Sequence, residues 1–168
     1  MPHKASAVAN FFLLKARQEA MPITQLKLMK LVYIAHGWHL ALLGTPLLNE
    51  PIEAWRHGPV IPSLYHEFKH FGKTPIDTLA TEYDFFEDES PQTPLLENTT
   101  TEFKDTLWVL EKVWGVYKKF PATVLRKITH EDEPSWQQAY QGDYVNAVIE
   151  NDSIHAHFKQ LLEALVKP

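Results

Sequence analysis

Apolar residues recur at helical spacing near the start of the chain. Ala5, Val8, Phe12 and Ala16 follow one another at intervals of three or four residues, and this spacing places side chains on one face of an α-helix. The stripe predicts a first helix over about residues 4–19.

The next predicted helix is apolar on nearly every face. Thr24 can accept a bond from an unpaired backbone N–H and so begin a helix that ends at Gly44. From Leu31 onward apolar residues surround the helix axis, which is typical of a helix at the centre of a core. Lys27 and Lys30 lie near its positive dipole end, which disfavours cations. We therefore expect both lysines to act outside their own helix.

A short strand and a tight turn follow this helix. Ile52 and Ala54 alternate with Glu53 and Trp55, which suggests a short β-strand. His57-Gly58-Pro59 indicates a turn, because glycine permits positive φ and proline restricts the backbone. Pro62 suits the first position of a short helix that ends at Gly72.

Helical periodicity returns in the second half of the chain. Thr99 and Glu102 fit a capping box, and an amphipathic stripe follows at Phe103, Leu107, Leu110, Trp114 and Tyr117. Pro121 and Pro134 each begin a shorter helix, and residues 144–149 suggest a short strand. Asp152 or Ser153 is expected to cap a final helix with the stripe Ile154, Phe158, Leu161 and Leu165.

An acidic segment separates the two halves. Residues 77–98 are rich in carboxylates, contain two prolines and lack periodicity, so we expect an exposed surface loop there. A length of 168 residues with no internal repeat fits a single domain over residues 1–168. The expected fold is mainly α: a compact helical domain with a central apolar helix and a minor β element of short strands.

Composition excludes several functional classes. The chain has 16 Lys and Arg against 21 Asp and Glu, a net charge of −5, which argues against a dedicated nucleic-acid-binding protein. With no cysteine there is no disulfide, thiolate metal site or cysteine nucleophile. No segment has the ~18 uninterrupted apolar residues of a membrane span, and polar residues interrupt the first helix, unlike a signal peptide. We expect a cytoplasmic protein without a cofactor.

The most specific chemical motif is H-E-x-x-H at residues 66–70. In zinc peptidases the two histidines, here His66 and His70, bind the metal, and the glutamate activates a water molecule. No third ligand is evident. Leu64 and Phe68 predict a buried helix face that leaves both histidines toward solvent. A zinc-dependent metallopeptidase is therefore an alternative, and buried hydrogen-bonded roles are expected for the histidines of the central helix.

The turn at residues 55–59 suggests binding. Trp and Arg are the residue types that most often anchor protein interfaces, and here Trp55 and Arg56 stand beside His57 on a rigid bend. The competing interpretation places Trp55 in the core of the protein, with a turn that only reverses the chain. A further alternative is a regulator that binds nucleic acid through Lys27, Lys30 and Arg56, with a steep salt dependence.

Several motifs occur together in the order of a known family. Residues 26–38 (LKLMKLVYIAHGW) and 53–60 (EAWRHGPV) resemble the signature helix and the following turn of the Panacea domain, the SocA-like antitoxin family also met as phage-associated proteins. The other matching positions are Pro46-Leu47, Tyr65, Phe68-Lys69, Leu125, Thr129-His130, Pro134 and Trp136.

The resemblance implies a protein-binding role without enzymatic activity. It implies an antitoxin that neutralises a cognate toxin by direct contact, and it allows an adaptor role toward a ClpXP-type protease. A prophage-encoded regulatory protein is a further alternative. The candidate partner-binding residues are Lys27, Lys30, Trp55, Arg56, His57, Gly58, Pro59, His130 and Trp136.

Overall fold

The computed structural model describes residues 1–84, 88–96, 102–130, 132–142 and 146–167. Its helices are α1 (Ala5–Gln18), α2 (Gln25–Leu43), α3 (Pro62–Phe68), α4 (Phe103–Tyr117), α5 (Ala122–His130), α6 (Pro134–Ala139) and α7 (Asn151–Val166). A 3₁₀ turn (Lys69–Phe71) follows α3. The strands are β1 (Glu53–Trp55), β2 (Gly58–Val60), β3 (Glu82–Asp84), β4 (Asp88–Gln92) and β5 (Ala147–Val148). The mainly α class with a minor β element is confirmed.

Helix α2 lies at the centre of the fold. It is buried over most of its length, and α1, α3, α4, α5 and α7 all contact it. Thr24 caps its start by accepting a bond from the Lys27 N–H at 3.4 Å, and Gly44 ends it with a φ of +70°. A left-handed residue at this position is favourable for glycine, which has no Cβ. The central apolar helix predicted from the sequence is therefore confirmed with both of its ends.

The apolar stripes of α1 and α4 pack into the same core. All four residues of the predicted α1 stripe are buried, and so are Leu110 and Trp114 of the α4 stripe. The indole N–H of Trp114 donates to Glu19 at 2.8 Å just beyond the end of α1. The two amphipathic helices thus face α2 as their periodicity predicts.

Two antiparallel sheets complete the fold. In the first, β1 lies between β2 and β5, with Glu53 paired to Val60 and to Val148. The second is the β3–β4 pair, which lies in the segment 77–98 that we expected to be a loop. Backbone pairing needs no apolar alternation on an exposed hairpin, so the sequence carried no strand signal there.

The last helix departs from its prediction. Helix α7 starts at Asn151 after Glu150, without a side-chain cap, so the predicted cap at Asp152 or Ser153 is wrong. Ile154 and Phe158 are buried, whereas Leu161 and Leu165 are exposed, because the end of α7 extends past the elements it packs on. Thr99 and Tyr144, of the predicted capping box and strand, lie outside the described residues.

Within the described ranges, no helix combines the length and apolar character needed to cross a membrane.

Candidate partner-binding site at the bend of residues 55–59

Residues 55–59, called the bend below, connect β1 to β2. Trp55 pairs with Gly58 across the two strands, which leaves Arg56 and His57 at the tip, where both are exposed. Gly58 adopts a φ of +107°, a conformation that L side chains rarely adopt. The turn predicted from His57-Gly58-Pro59 is confirmed.

The side chain of Lys30 lies directly beneath the bend. Its ammonium group donates to the carbonyl oxygens of Pro59 at 3.0 Å and His57 at 3.3 Å. A Cβ on Gly58 would lie 2.7 Å from this nitrogen, so the absence of a side chain there gives the ammonium room. Burial, with the positive charge of Arg126 as a second cause, lowers the pKa of Lys30 to about 7. Lys30 therefore supports the bend from within.

The expectation that Lys30 contacts a partner needs correction. Lys30 is only 1% exposed, so a partner on this surface cannot reach it. The ammonium of Lys27 donates to the carbonyl oxygen of Lys118 just after α4. The two lysines do act outside their own helix, but on internal carbonyl groups. This arrangement also removes Lys30 from the nucleic-acid-binding set considered above.

Helix α5 holds the tip of the bend with two side chains. His130 Nε2 donates to the carbonyl oxygen of Arg56 at 3.0 Å, and Arg126 Nη2 donates to His57 Nδ1 at 3.2 Å. Burial and the positive charges of Arg126, Arg56, His130 and Lys30 lower the pKa of His57. His57 is thereby kept neutral, with Nδ1 able to accept. Sequence reasoning missed Arg126, although it precedes His130 by four residues and so shares its helix face.

Two tryptophans flank the bend. Trp136 of α6 donates from its indole nitrogen to the carbonyl oxygen of Trp55 at 2.8 Å, and its ring centroid lies 4.0 Å from that of His130. Trp55 is half-buried and packs edge-on against Tyr65, with the two ring centroids 4.9 Å apart. The structure thus brings His130 and Trp136 to the bend, although about 75 residues separate them from it in the chain.

A buried polar network supports α6 behind the bend. The carboxylate of Glu133 accepts from the Trp136 backbone N–H at 2.7 Å and from the Ser135 hydroxyl at 2.6 and 2.7 Å. Tyr33 of α2 lies 3.3 Å from the same hydroxyl. Burial, followed by the Glu133 charge, raises the pKa of Tyr33. Glu133 therefore works as the cap of α6.

The H-E-x-x-H motif does not form a continuous helical face. Helix α3 ends at Phe68, and His70 lies in the 3₁₀ turn. Both His66 and His70 are exposed, whereas Leu64 and Phe68 are buried as predicted. Glu67 accepts from the Thr81 N–H at 3.0 Å. Among the described residues, no group of three His, Asp or Glu side chains is arranged to hold a metal ion.

The two histidines of α2 have structural partners. His36 accepts from the Leu48 N–H at 3.3 Å and donates to Asn151 at 2.8 Å. His39 donates to the carbonyl oxygen of Thr45 at 2.6 Å. Burial lowers the pKa of His36 to about 4. Both rings are neutral, hydrogen-bonded core groups, as expected.

Comparison with known proteins agrees with the motifs. The family model described as antitoxin SocA-like, Panacea domain matches residues 28–137, about two thirds of the chain, and it includes α2, the bend, α5 and Trp136. The chain therefore belongs to the SocA-like Panacea domain family, which confirms the resemblance.

A curated relative gives a more particular likeness. Antitoxin SocA of Caulobacter vibrioides (strain NA1000 / CB15N) is 45% identical over 80 residues, which are 48% of this chain and 43% of that protein. The match thus spans less than half of the relative's length. No solved structure shows significant similarity to the chain.

Proposed function

We propose that this protein is an antitoxin that neutralises a cognate toxin by direct protein–protein contact. The observation that carries the proposal is membership of the SocA-like Panacea family, together with 45% identity to antitoxin SocA over 80 residues. An antitoxin of this kind works by binding. We therefore propose a non-enzymatic protein that acts in the cytoplasm, where its toxin is made.

The bend is the surface that we assign to the toxin. Arg56 and His57 are exposed at its tip. Lys30 and His130 bind backbone carbonyl groups of the bend. Arg126 binds the ring of His57. A loop that is already held in one conformation loses little conformational entropy on binding, which favours affinity. Arg and Trp are also the residue types that most often carry binding energy at interfaces.

Neutralisation can follow two routes from the same contact. In the first, the bound antitoxin simply blocks the toxin. In the second, the antitoxin is an adaptor that presents the toxin to a ClpXP-type protease. The first route predicts a stable stoichiometric complex and unchanged toxin levels, and the second predicts a fall in toxin that depends on the protease.

Co-expression with the protein encoded beside this gene tests the proposal. Rescue of growth together with co-purification of the two proteins supports an antitoxin that binds its toxin. The double variant Arg56→Ala/His57→Ala is expected to weaken both rescue and co-purification while its melting temperature stays close to that of the unmodified protein.

The matched control is Lys69→Ala/His70→Ala, since this exposed cation–imidazole pair lies in the 3₁₀ turn after α3. It should rescue growth as well as the unmodified protein does. Equal loss in both double variants would argue against the bend as the toxin-binding surface, and a neighbour that neither arrests growth nor binds would argue against the antitoxin function.

A further inference from the structure

The guanidinium of Arg126 is a half-buried cation that has no anionic partner among the described residues. Across the described parts of the chain, its side chain has one hydrogen bond, from Nη2 to His57 Nδ1 at 3.2 Å, and its buried Nε–H has no acceptor. None of the ion pairs between described residues involves Arg126. Nδ1 of His130, one turn along the same helix, is likewise buried without a partner.

An arrangement of this kind is costly for the free protein. A buried donor without an acceptor loses its hydration without compensation, and this cost is larger for a charged group than for a neutral one. The positive charges of Arg126 and Arg56 both act on His57. The bend is thus a locally cationic surface on a chain whose net charge is −5, and its hydrogen-bonding capacity is not used within the described structure.

We propose that Arg126 is the recognition group for a side-chain carboxylate, Asp or Glu, on the toxin. The Nη2 and Nε donors lie on one edge of the guanidinium and match the two oxygens of a carboxylate. The neutral imidazole of His57 occupies half of this edge as a weaker acceptor, and the incoming carboxylate displaces it. The proposal rests on the antitoxin function and names the partner chemistry at the bend.

The observations favour a protein carboxylate over a nucleic-acid phosphate. Binding to nucleic acid needs an extended basic surface that follows the phosphate backbone. Here Lys30 is buried, Lys27 is bonded to an internal carbonyl group, and the two donors of Arg126 lie on a single edge behind the His57 ring. A single two-oxygen acceptor carried by a docking polypeptide fits that geometry.

Titration with small probes tests the site without the toxin. The ring resonances of His57 are followed by NMR while a terminally blocked glutamate is added, with blocked glutamine and inorganic phosphate as separate arms. We expect a saturable shift with blocked glutamate, none with blocked glutamine, and a shift reduced at least about fivefold in Arg126→Gln. Lys127→Gln is the matched control, because it removes an exposed cation from the neighbouring position of α5.

In the toxin complex, Arg126→Gln is expected to raise the Kd at least about tenfold, since truncation of a hydrogen-bonded charge pair is expensive. Lys127→Gln should change the Kd less than about twofold. Recovery of binding by Arg126→Glu with an Asp→Arg or Glu→Arg change on the toxin would identify the paired carboxylate. Thermal melting of each variant separates a binding defect from a folding defect. Arg126→Lys is a second variant, which keeps the positive charge but lacks the two-donor edge of the guanidinium.

Equal losses of toxin affinity in Arg126→Gln and Lys127→Gln would show that binding depends only on the overall charge of this surface, and they would overturn the proposal. So would a stronger response to phosphate than to blocked glutamate, or DNA binding that depends on Arg126. If the unmodified protein binds no toxin, the antitoxin function fails, while the small-probe titration still decides whether Arg126 recognises carboxylates.

Discussion

The ammonium nitrogen of Lys30 lies 3.0 Å from the carbonyl oxygen of Pro59, so a cation of the central helix supports the exposed bend. Its hydrogen-bond partners are backbone carbonyl groups, which remain when a side chain at the bend is substituted. Burial lowers the pKa of Lys30 to about 7. The conformation of the bend and the stability of the fold are linked through this one side chain.

Lys30 makes stability depend on pH in a defined window. Its pKa is about 7 in the folded protein, against 10.5 for a lysine exposed to water, so between these values the unfolded chain binds a proton that the folded protein does not. The free energy of unfolding should therefore rise with pH across this window, by at most about 1.4 kcal/mol for each unit of pKa difference, and level off below pH 7.

Denaturation of the unmodified protein and Lys30→Met from pH 6 to pH 10 measures this effect. The difference between the two profiles isolates Lys30, and we expect the rise to be absent in Lys30→Met. Lys69→Met, at an exposed position, should follow the unmodified protein. Parallel profiles for Lys30→Met and the unmodified protein would contradict the burial of a titrating ammonium.

Gly58→Ala should damage the bend. The new Cβ would lie 2.7 Å from the Lys30 ammonium in a backbone with a φ of +107°, so steric and conformational strain add. We expect a loss of about 1–3 kcal/mol in the free energy of unfolding, measured by chemical denaturation, together with weaker toxin binding.

Gly115→Ala is the matched control for this glycine. Gly115 lies in α4, and a Cβ there would meet nothing within 4 Å. Alanine is the better helix former by about 1 kcal/mol, so this variant should be more stable than the unmodified protein. If Gly58→Ala left the free energy of unfolding unchanged while Gly115→Ala raised it, the bend would have accepted the added side chain without strain.

Gly37 of α2 allows the close approach of α7. A Cβ at this position would lie 2.2–2.4 Å from three ring carbons of Phe158. The Phe158 ring also packs edge-on against Trp38, with ring centroids 5.4 Å apart. Gly37→Ala should therefore cost at least about 1–3 kcal/mol, although alanine is the better helix former.

A double-variant cycle tests the contact directly. Phe158→Ala alone creates a cavity, but combined with Gly37→Ala it removes the clash, so the pair should cost less than the sum of the single changes. Strict additivity, measured by urea denaturation, would show that the two residues do not restrict each other.

Local physical chemistry accounts for what could be predicted. Thr24 and Gly44 bound α2 because capping and left-handed φ depend on the residue itself. The buried faces of α1 and α4 followed from helical periodicity in the same way. The exposed positions of His66 and His70 followed from the alternation with Leu64 and Phe68.

Predictions failed where a distant segment decided the outcome. Lys30 was expected to meet a partner, but it is buried and its acceptors are carbonyl groups brought close by folding. The predicted apolar stripe of α7 includes Leu161 and Leu165, but both are exposed. Neither result is encoded in the local spacing of residues.

The sequence by itself determined the ends of α2, the buried faces of α1 and α4 and the turn at Gly58, because these depend on periodicity, capping and the φ angles open to each residue. Only the tertiary structure decided that Arg126, His130 and Trp136 meet the bend, and that a buried lysine supports it. The reason is that hydrogen bonds between remote segments form only after the chain has packed around α2, and no short-range pattern specifies which groups then lie within 3 Å of each other.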